Sequence, residues 1–271
     1  MSRVIYYYQT PTTLTPLINA NIPNLNVIVS SLHFGFNTDE TPYIHLNNYP
    51  PNDSKYTCMW QQIERLAEVP QTQIHVMLGG AGGAYEDLFE NYDQFYPLLR
   101  NFLKTKQGLI TGINFDIEEQ ITVEQIERLM TQVHHDFPSL ELSLAPVLEE
   151  VLNPTQPGVF SGFAYQTLFD RLGQLISFVN VQMYNLEFTH QAFSEIIDVW
   201  TLPFEKLVPG ICSIEYPGPK IETAFQELQL IHLLCPTMGG AFIWEYSNAP
   251  PNAPQDPSEW GKAVARILNS Q

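Results

Sequence analysis

Two patterns alternate along the chain. Short apolar, β-rich runs occur at residues 4–9, 27–34, 74–78, 112–118, 140–145, 178–184, 207–211 and 240–244. Between them, apolar positions recur at helical spacing over 59–69, 95–106, 123–137, 165–172 and 222–234, and a final helical stretch covers 259–268. Thr122, with Gln125 three residues on, predicts a helix start of the capping-box kind. Eight strands alternating with helices in one chain of this length predict a single (β/α)₈ barrel over residues 1–271. A doubly wound open sheet is the rival. Pro-rich tracts at 10–16, 47–52, 146–157 and 249–257 each follow a strand and predict stiffened loops on one face.

Within the fourth run, Gly112-Ile113-Asn114-Phe115-Asp116-Ile117-Glu118, side chains alternate. Ile113, Phe115 and Ile117 point one way, and Asn114, Asp116 and Glu118 the other. Two carboxylates buried beside an amide cost several kcal/mol unless protons or hydrogen bonds are shared, so the ladder suggests an acid with a raised pKa. A half-exposed strand with a polar outer face would read the same way. In a (β/α)₈ barrel, chemistry sits at the C-terminal ends of strands. Glu118, Tyr184 and Trp244 fall there at the ends of the fourth, sixth and eighth runs.

Composition narrows the partners. Twelve Lys plus Arg against 29 Asp plus Glu give a formal charge of −17, which repels nucleic acid and anionic membrane; neither is expected as a partner. Cys58, Cys212 and Cys235 are odd in number and lack metal spacing, so they read as reduced core residues. The start, Met1-Ser2-Arg3 running into Val4-Ile5-Tyr6, has no ordinary signal-peptide pattern. That leaves a cytoplasmic chain or one exported by another signal. The glycines of Gly79-Gly80-Ala81-Gly82-Gly83 lack the Lys-Ser/Thr of a phosphate loop and suit close backbone approach instead. His134-His135 lies on a helix without a third ligand, and no metal is expected.

With the fourth strand in place, the chain resembles the family 18 glycoside hydrolases. Their Asp-Gly-x-Asp-x-Asp-x-Glu motif is matched by Thr111-Gly112-Ile113-Asn114-Phe115-Asp116-Ile117-Glu118. Gln182-Met183-Tyr184-Asn185 is similar to the family's sixth-strand motif, and Gly80-Ala81-Gly82-Gly83 to its third-strand Ser-x-Gly-Gly without the serine. Within the family the likeness is greatest to fungal endo-β-N-acetylglucosaminidases. It includes Tyr7-Tyr8-Gln9-Thr10, Leu144-Ala145-Pro146-Val147 and Trp244-Glu245-Tyr246. Asn114 stands where the family has its middle Asp, and Thr111 where it has the first.

The resemblance implies hydrolysis of β-1,4 bonds at N-acetylglucosamine, by a monomer and without a cofactor. Glu118 would be the general acid, Asp116 the group holding the substrate acetamide, and Tyr184 its hydrogen-bond donor. Trp244 would floor the pocket, Gln182 and Asn185 would hold the sugar or Tyr184, and Asn114 would donate to Asp116. Tyr7 and His33 could face the pocket or serve the core, and Gln182 could only satisfy backbone. Non-proline cis peptides are implied at Trp244–Glu245 and Ser31–Leu32. The stretch between Ile211 and Gly240 is too short for the α+β insertion of many chitinases, which favours the chitobiose core of N-glycans. The loop 185–190 is shorter than in the glycan-cleaving relatives, which keeps chitin oligomers open. Asn114 alone supports a different class, a sugar-binding or inhibitor protein on the same barrel.

Overall fold

A computed structural model describes residues 2–270. Among them, one sheet contains β1 (Arg3–Tyr8), β2 (Leu25–Phe36), β3 (Pro42–Leu46), β4 (Gln73–Gly79), β5 (Gly112–Asp116), β6 (Glu141–Leu144), β7 (Ile176–Gln182), β8 (Leu207–Cys212) and β9 (Gly240–Trp244). All except β3 pair in parallel with their neighbours. Because β1 pairs with both β2 and β9, the sheet closes into an eight-stranded barrel. Closure removes the open-sheet alternative.

The eight barrel strands are buried on both faces along most of their length, as a parallel sheet covered by helices requires, whereas β3 is only partly buried. Outward residues such as Tyr6, Val27, Ile113 and Phe115 join the helices in one apolar layer. Inward residues Ile5, Tyr7, Ile28, Met77, Phe178, Val208 and Phe242 fill the barrel. The expected elements recur with ends shifted by at most three residues. The helix Val123–Asp136 opens with the expected capping box: Gln125 N–H donates to Thr122 Oγ1 at 3.2 Å, and Thr122 N–H to Gln125 Oε1 at 2.8 Å.

Three features depart from the sequence reading. First, β3 folds back antiparallel on β2, pairing Leu32 with Leu46 and Phe36 with Pro42. Its short run Tyr43-Ile44-His45-Leu46 does alternate, but it carries only a weak strand signal. Second, helices form at Thr15–Ala20, Tyr85–Glu90, Leu148–Leu152 and His190–Val199. The first overlaps and the third lies within tracts expected to be loops. Pro16 sits in the first turn, where its missing N–H costs nothing. Third, Trp244–Glu245 is cis as implied, but the cis bond in β2 is Ser30–Ser31, one bond before the expected place. Between β8 and β9 the described chain holds short turns and one helix, Ile221–Leu234, with no inserted α+β unit. No helix among the described residues is long and apolar enough to cross a membrane.

At the N-terminal end of the barrel a polar plug closes the interior. Glu141 lies 3.4 Å from His75 Nε2 and 3.5 Å from Arg3, whose guanidinium covers the Phe178 ring at 4.7 Å. Thr111, the other departure from the family motif, sits here: Ile74 N–H donates to its Oγ1 at 3.1 Å. It is therefore remote from the C-terminal mouth. Gly112 lies against the plug, where an added Cβ would stand 2.5 Å from His75 Cε1. The ring is fully buried and cannot swing away. Gly112→Ala is expected to destabilise the fold by about 1–3 kcal/mol, the usual cost of overpacking. Urea unfolding checks this, and a midpoint equal to that of the wild type would contradict it.

Candidate active site

Among the apolar side chains that fill the barrel interior runs a column of polar ones. Deepest in the column, Asn180 Nδ2–H donates to Tyr7 Oη at 2.8 Å, and Tyr7 O–H donates to Asn114 Oδ1 at 3.0 Å. Asn114 Nδ2–H then donates to Ser143 Oγ at 2.9 Å. Each link uses a donor and an acceptor that burial would otherwise leave unpaired. Asn114 is completely buried. Its amide is spent on Ser143, not on Asp116.

Above this chain, Asp116 is 5% exposed, and its Oδ1 accepts from Gln182 Nε2 at 3.0 Å. The same Gln182 amide donates to Ala145 O at 2.7 Å, which fixes its orientation. Burial, and then the neighbouring Glu118, push the Asp116 carboxyl well above the ordinary carboxylate range. Glu118 lies just past the end of β5 and is half-buried. Burial raises its pKa first, and the charge of Glu150 raises it further. The two carboxyls point the same way because the strand's period is two. Both favour holding a proton, which suits the pair to acid–base work.

A cleft of about 610 Å³ opens over this pair, with His33, Asp116, Glu118, Gln182, Tyr184 and Trp244 among its walls. Trp244 ends β9, and its ring lies 5.3 Å from that of Tyr7 beneath it. Glu245, the next residue, fixes this turn: it accepts from Gln9 N–H and Thr10 N–H at 2.9 Å each, and from Thr10 Oγ1 at 2.6 Å. Tyr184 follows β7, and burial raises its phenol well above the usual range, so it stays a neutral donor. On the far wall, Gly79 (φ +94°) and Gly80 (φ +83°) bring backbone against β5, and Gly80 N–H donates to Asp116 O at 2.9 Å. A side chain at Gly79 would collide with that carbonyl, so the glycine run serves close approach as its sequence suggests.

Comparison with solved structures shows what this arrangement is similar to. A fungal endo-β-N-acetylglucosaminidase from glycosyl hydrolase family 18 matches with a TM-score of 0.84 and 24% identity, over 99% of each chain. Chitinase ChiC from Aspergillus fumigatus matches with 0.79 and 26% identity, over 99% of this chain and all of the other. A family GH18 chitinase from Chromobacterium violaceum matches with 0.72 and 15% identity, over 99% of this chain and 84% of that one. The fold is that of the family 18 glycoside hydrolases. No family sequence model and no curated protein matches the chain.

On this barrel the expected site residues divide into three groups. Asp116, Glu118, Gln182, Tyr184, Trp244 and His33 share the cleft. His33 is committed on both ring nitrogens, with Nδ1 2.6 Å from Gly83 O and Nε2 2.8 Å from Ser31 Oγ. It therefore holds the glycine loop in place. Tyr7, which could have faced the pocket or served the core, and Asn114, counted among the substrate-binding residues as the donor to Asp116, lie below the floor and out of a ligand's reach. Asn185, expected to hold the sugar or Tyr184, is exposed on an adjoining cavity, and its N–H donates to Glu215 at 2.7 Å. Its φ of +58° turns the chain outward just after Tyr184.

Other residues at the site carried little sequence signal. Tyr43 and Asn47 line the cleft from β3 and the turn after it. Glu150 is buried, and its Oε1 accepts from Phe160 N–H at 3.0 Å and from Ser161 N–H at 2.9 Å. Glu150→Gln keeps that oxygen and removes the charge. Glu118 is then expected to titrate at lower pH with the loop unmoved, which a ¹³C NMR titration of labelled Glu carboxyls can follow. An unchanged Glu118 titration would contradict the charge coupling.

Proposed function

We propose that the protein hydrolyses β-1,4 bonds at N-acetylglucosamine with net retention, and that its substrate is the chitobiose core of N-glycans. One observation carries the reading. A carboxyl with a raised pKa, Glu118, stands at the junction of two cavities, with the buried Asp116 below it and Tyr184 and Trp244 around it. Family 18 enzymes are the substrate-assisted exception to the two-carboxylate scheme. In this reading Glu118 gives its proton to the glycosidic oxygen. The substrate's 2-acetamido oxygen attacks the anomeric carbon as that C–O bond breaks, giving an oxazolinium ion and a free sugar hydroxyl. Asp116 accepts a hydrogen bond from the acetamido N–H through its carbonyl oxygen and so aims the acetamido oxygen at the anomeric carbon. Tyr184 donates to the acetamido oxygen, and Trp244 supports the apolar face of the sugar. Glu118, now ionised, takes a proton from water, whose oxygen attacks the anomeric carbon and opens the ring.

Chitin oligomers are the second reading, supported by the likeness to ChiC and by the second cavity that Glu118 lines. Digestion of a high-mannose glycoprotein alongside chitotetraose, followed by mass spectrometry, separates the two. Release of glycans with one N-acetylglucosamine left on the protein supports the first, and cleavage of chitotetraose alone supports the second. Turnover of neither favours a sugar-binding protein. Glu118→Gln should retain the fold and sugar binding but lose at least about 10²-fold in turnover, the lower range for an acid–base group. A variant within a few-fold of wild type would remove Glu118 from the reaction.

Asn114 marks where the sequence leaves the family pattern. An aspartate there would accept from Tyr7 and Ser143, the groups that already surround it, and would add a charge below Asp116. Like charges so close cannot both ionise easily, so Asp116 would hold its proton to higher pH and share it with Glu118. Asn114→Asp is expected to raise kcat and move the basic limb of the pH profile upward. A variant slower at every pH would mean the neutral amide is tuned to this barrel.

A further inference from the structure

Two stripes of side chains face each other on the outer wall of the barrel. Tyr92, Tyr96, Arg100 and Lys104 recur every fourth residue along the helix Tyr92–Thr105, and Arg128, Gln132 and Asp136 do so along the helix Val123–Asp136. That spacing puts each set on one face of its helix. Where neighbouring helices meet, such stripes are ordinarily apolar and packed shut. Here a groove of about 520 Å³ stays open, and both stripes line it.

Three cations meet in this groove, although the chain has only 12 Lys and Arg and a net charge of −17. Two of them are braced. Arg100 Nε lies 2.9 Å from Asp136 Oδ2, and the guanidinium carbon of Arg128 lies 3.7 Å from the centre of the Tyr92 ring. Asp136 is otherwise occupied: Tyr96 Oη donates to its Oδ2 at 2.8 Å, and Gln132 Nε2–H to its Oδ1 at 3.3 Å. The other acid, Asp93, is 99% exposed and stands 3.9 Å from Arg128, a solvated pair of little strength. Lys104 has no acid partner among the described residues. Tyr92 adds an unused donor in the groove wall, since the residue is 8% exposed and its hydroxyl has no hydrogen-bond partner. Burial pushes that phenol up to about 12, so it keeps its proton. The free groups in the groove are chiefly donors, and donors of this kind select an oxyanion.

We propose that this groove binds a small ligand bearing a carboxylate or phosphate group, held by Arg100, Lys104 and Arg128. A guanidinium offers a forked N–H pair that matches either oxyanion, and bracing leaves less side-chain entropy to lose on binding. The groove shares no residue with the cleft, so the proposal is independent of the hydrolytic reading.

Glucuronate, glucose 6-phosphate and neutral glucose, titrated at fixed ionic strength into protein labelled with ¹⁵N at arginine, test it. The Nε signals of Arg100 and Arg128 are expected to shift saturably with either anion and to stay still with glucose. Tighter binding of glucuronate assigns a carboxylate ligand, and tighter binding of glucose 6-phosphate a phosphate one. Affinities from titration calorimetry should fall about threefold in Lys104→Gln, which leaves no acid unpaired. In the double variant Arg100→Gln with Arg128→Gln they should fall at least about tenfold, the scale of a charged hydrogen bond. Arg266→Gln, on another helix, should leave them unchanged. No saturable shift at tens of millimolar anion, or an unchanged affinity in Lys104→Gln or in the double variant, overturns the assignment.

Discussion

Polar groups inside a barrel must satisfy one another, and this constraint organises the molecule. A buried carboxyl left unpaired costs several kcal/mol, more than a typical domain can spare. Asp116 avoids that cost through one amide hydrogen on Gln182, whose other donor is fixed by Ala145 O. Below it, the directed chain from Asn180 through Tyr7 and Asn114 to Ser143 pairs the Asn180 amide, the Tyr7 hydroxyl and the Asn114 side chain with one another and with Ser143. The glycines of the β4 loop and the Glu245 turn after β9 then shape the mouth around a carboxyl already held in place. The site is where the barrel's internal hydrogen bonding ends and ligand hydrogen bonding can begin.

The same arrangement accounts for the departure from the family pattern. Asn114 could be expected to hydrogen-bond upward to Asp116, as a neutral substitute for a second carboxyl. Instead it points its amide hydrogen at Ser143 and its oxygen at Tyr7. Asp116 nevertheless favours its protonated form, because burial and Glu118 act on it without help from below. Loss of the lower charge therefore weakens one contribution to the proton's placement and leaves the larger one standing.

Much of this was legible along the chain. Burial on both faces of parallel strands leaves apolar runs, and the polar alternation of Asn114, Asp116 and Glu118 stood out against them. What sequence spacing missed follows a common cause. β3 is a short hairpin arm whose partner, β2, could already be satisfied as a barrel strand. The helix Leu148–Leu152 is too brief to show a period, and it lay inside a Pro-rich tract. Tyr7, Asn114 and Asn185 carried the right residue types for sugar contact. Whether they touch a ligand depends on depth and on one positive φ, neither of which a linear pattern encodes. Glu150 acts at a distance through charge and loop anchoring, and gives no local signal at all.

In the reaction proposed above, Asp116 and Tyr184 would hold an acetamido group in the geometry of a five-membered ring beside Glu118. Chitobiose thiazoline mimics that ring and has no leaving group, so its binding reads the pocket alone. Titration calorimetry of the wild-type protein and of Asp116→Ala measures it directly. The account predicts that the thiazoline binds the wild-type protein more tightly than chitobiose does, by at least about 10²-fold, the low end for a transition-state mimic. It also predicts that the advantage disappears in Asp116→Ala. Equal affinity for thiazoline and chitobiose in the wild-type protein would contradict it.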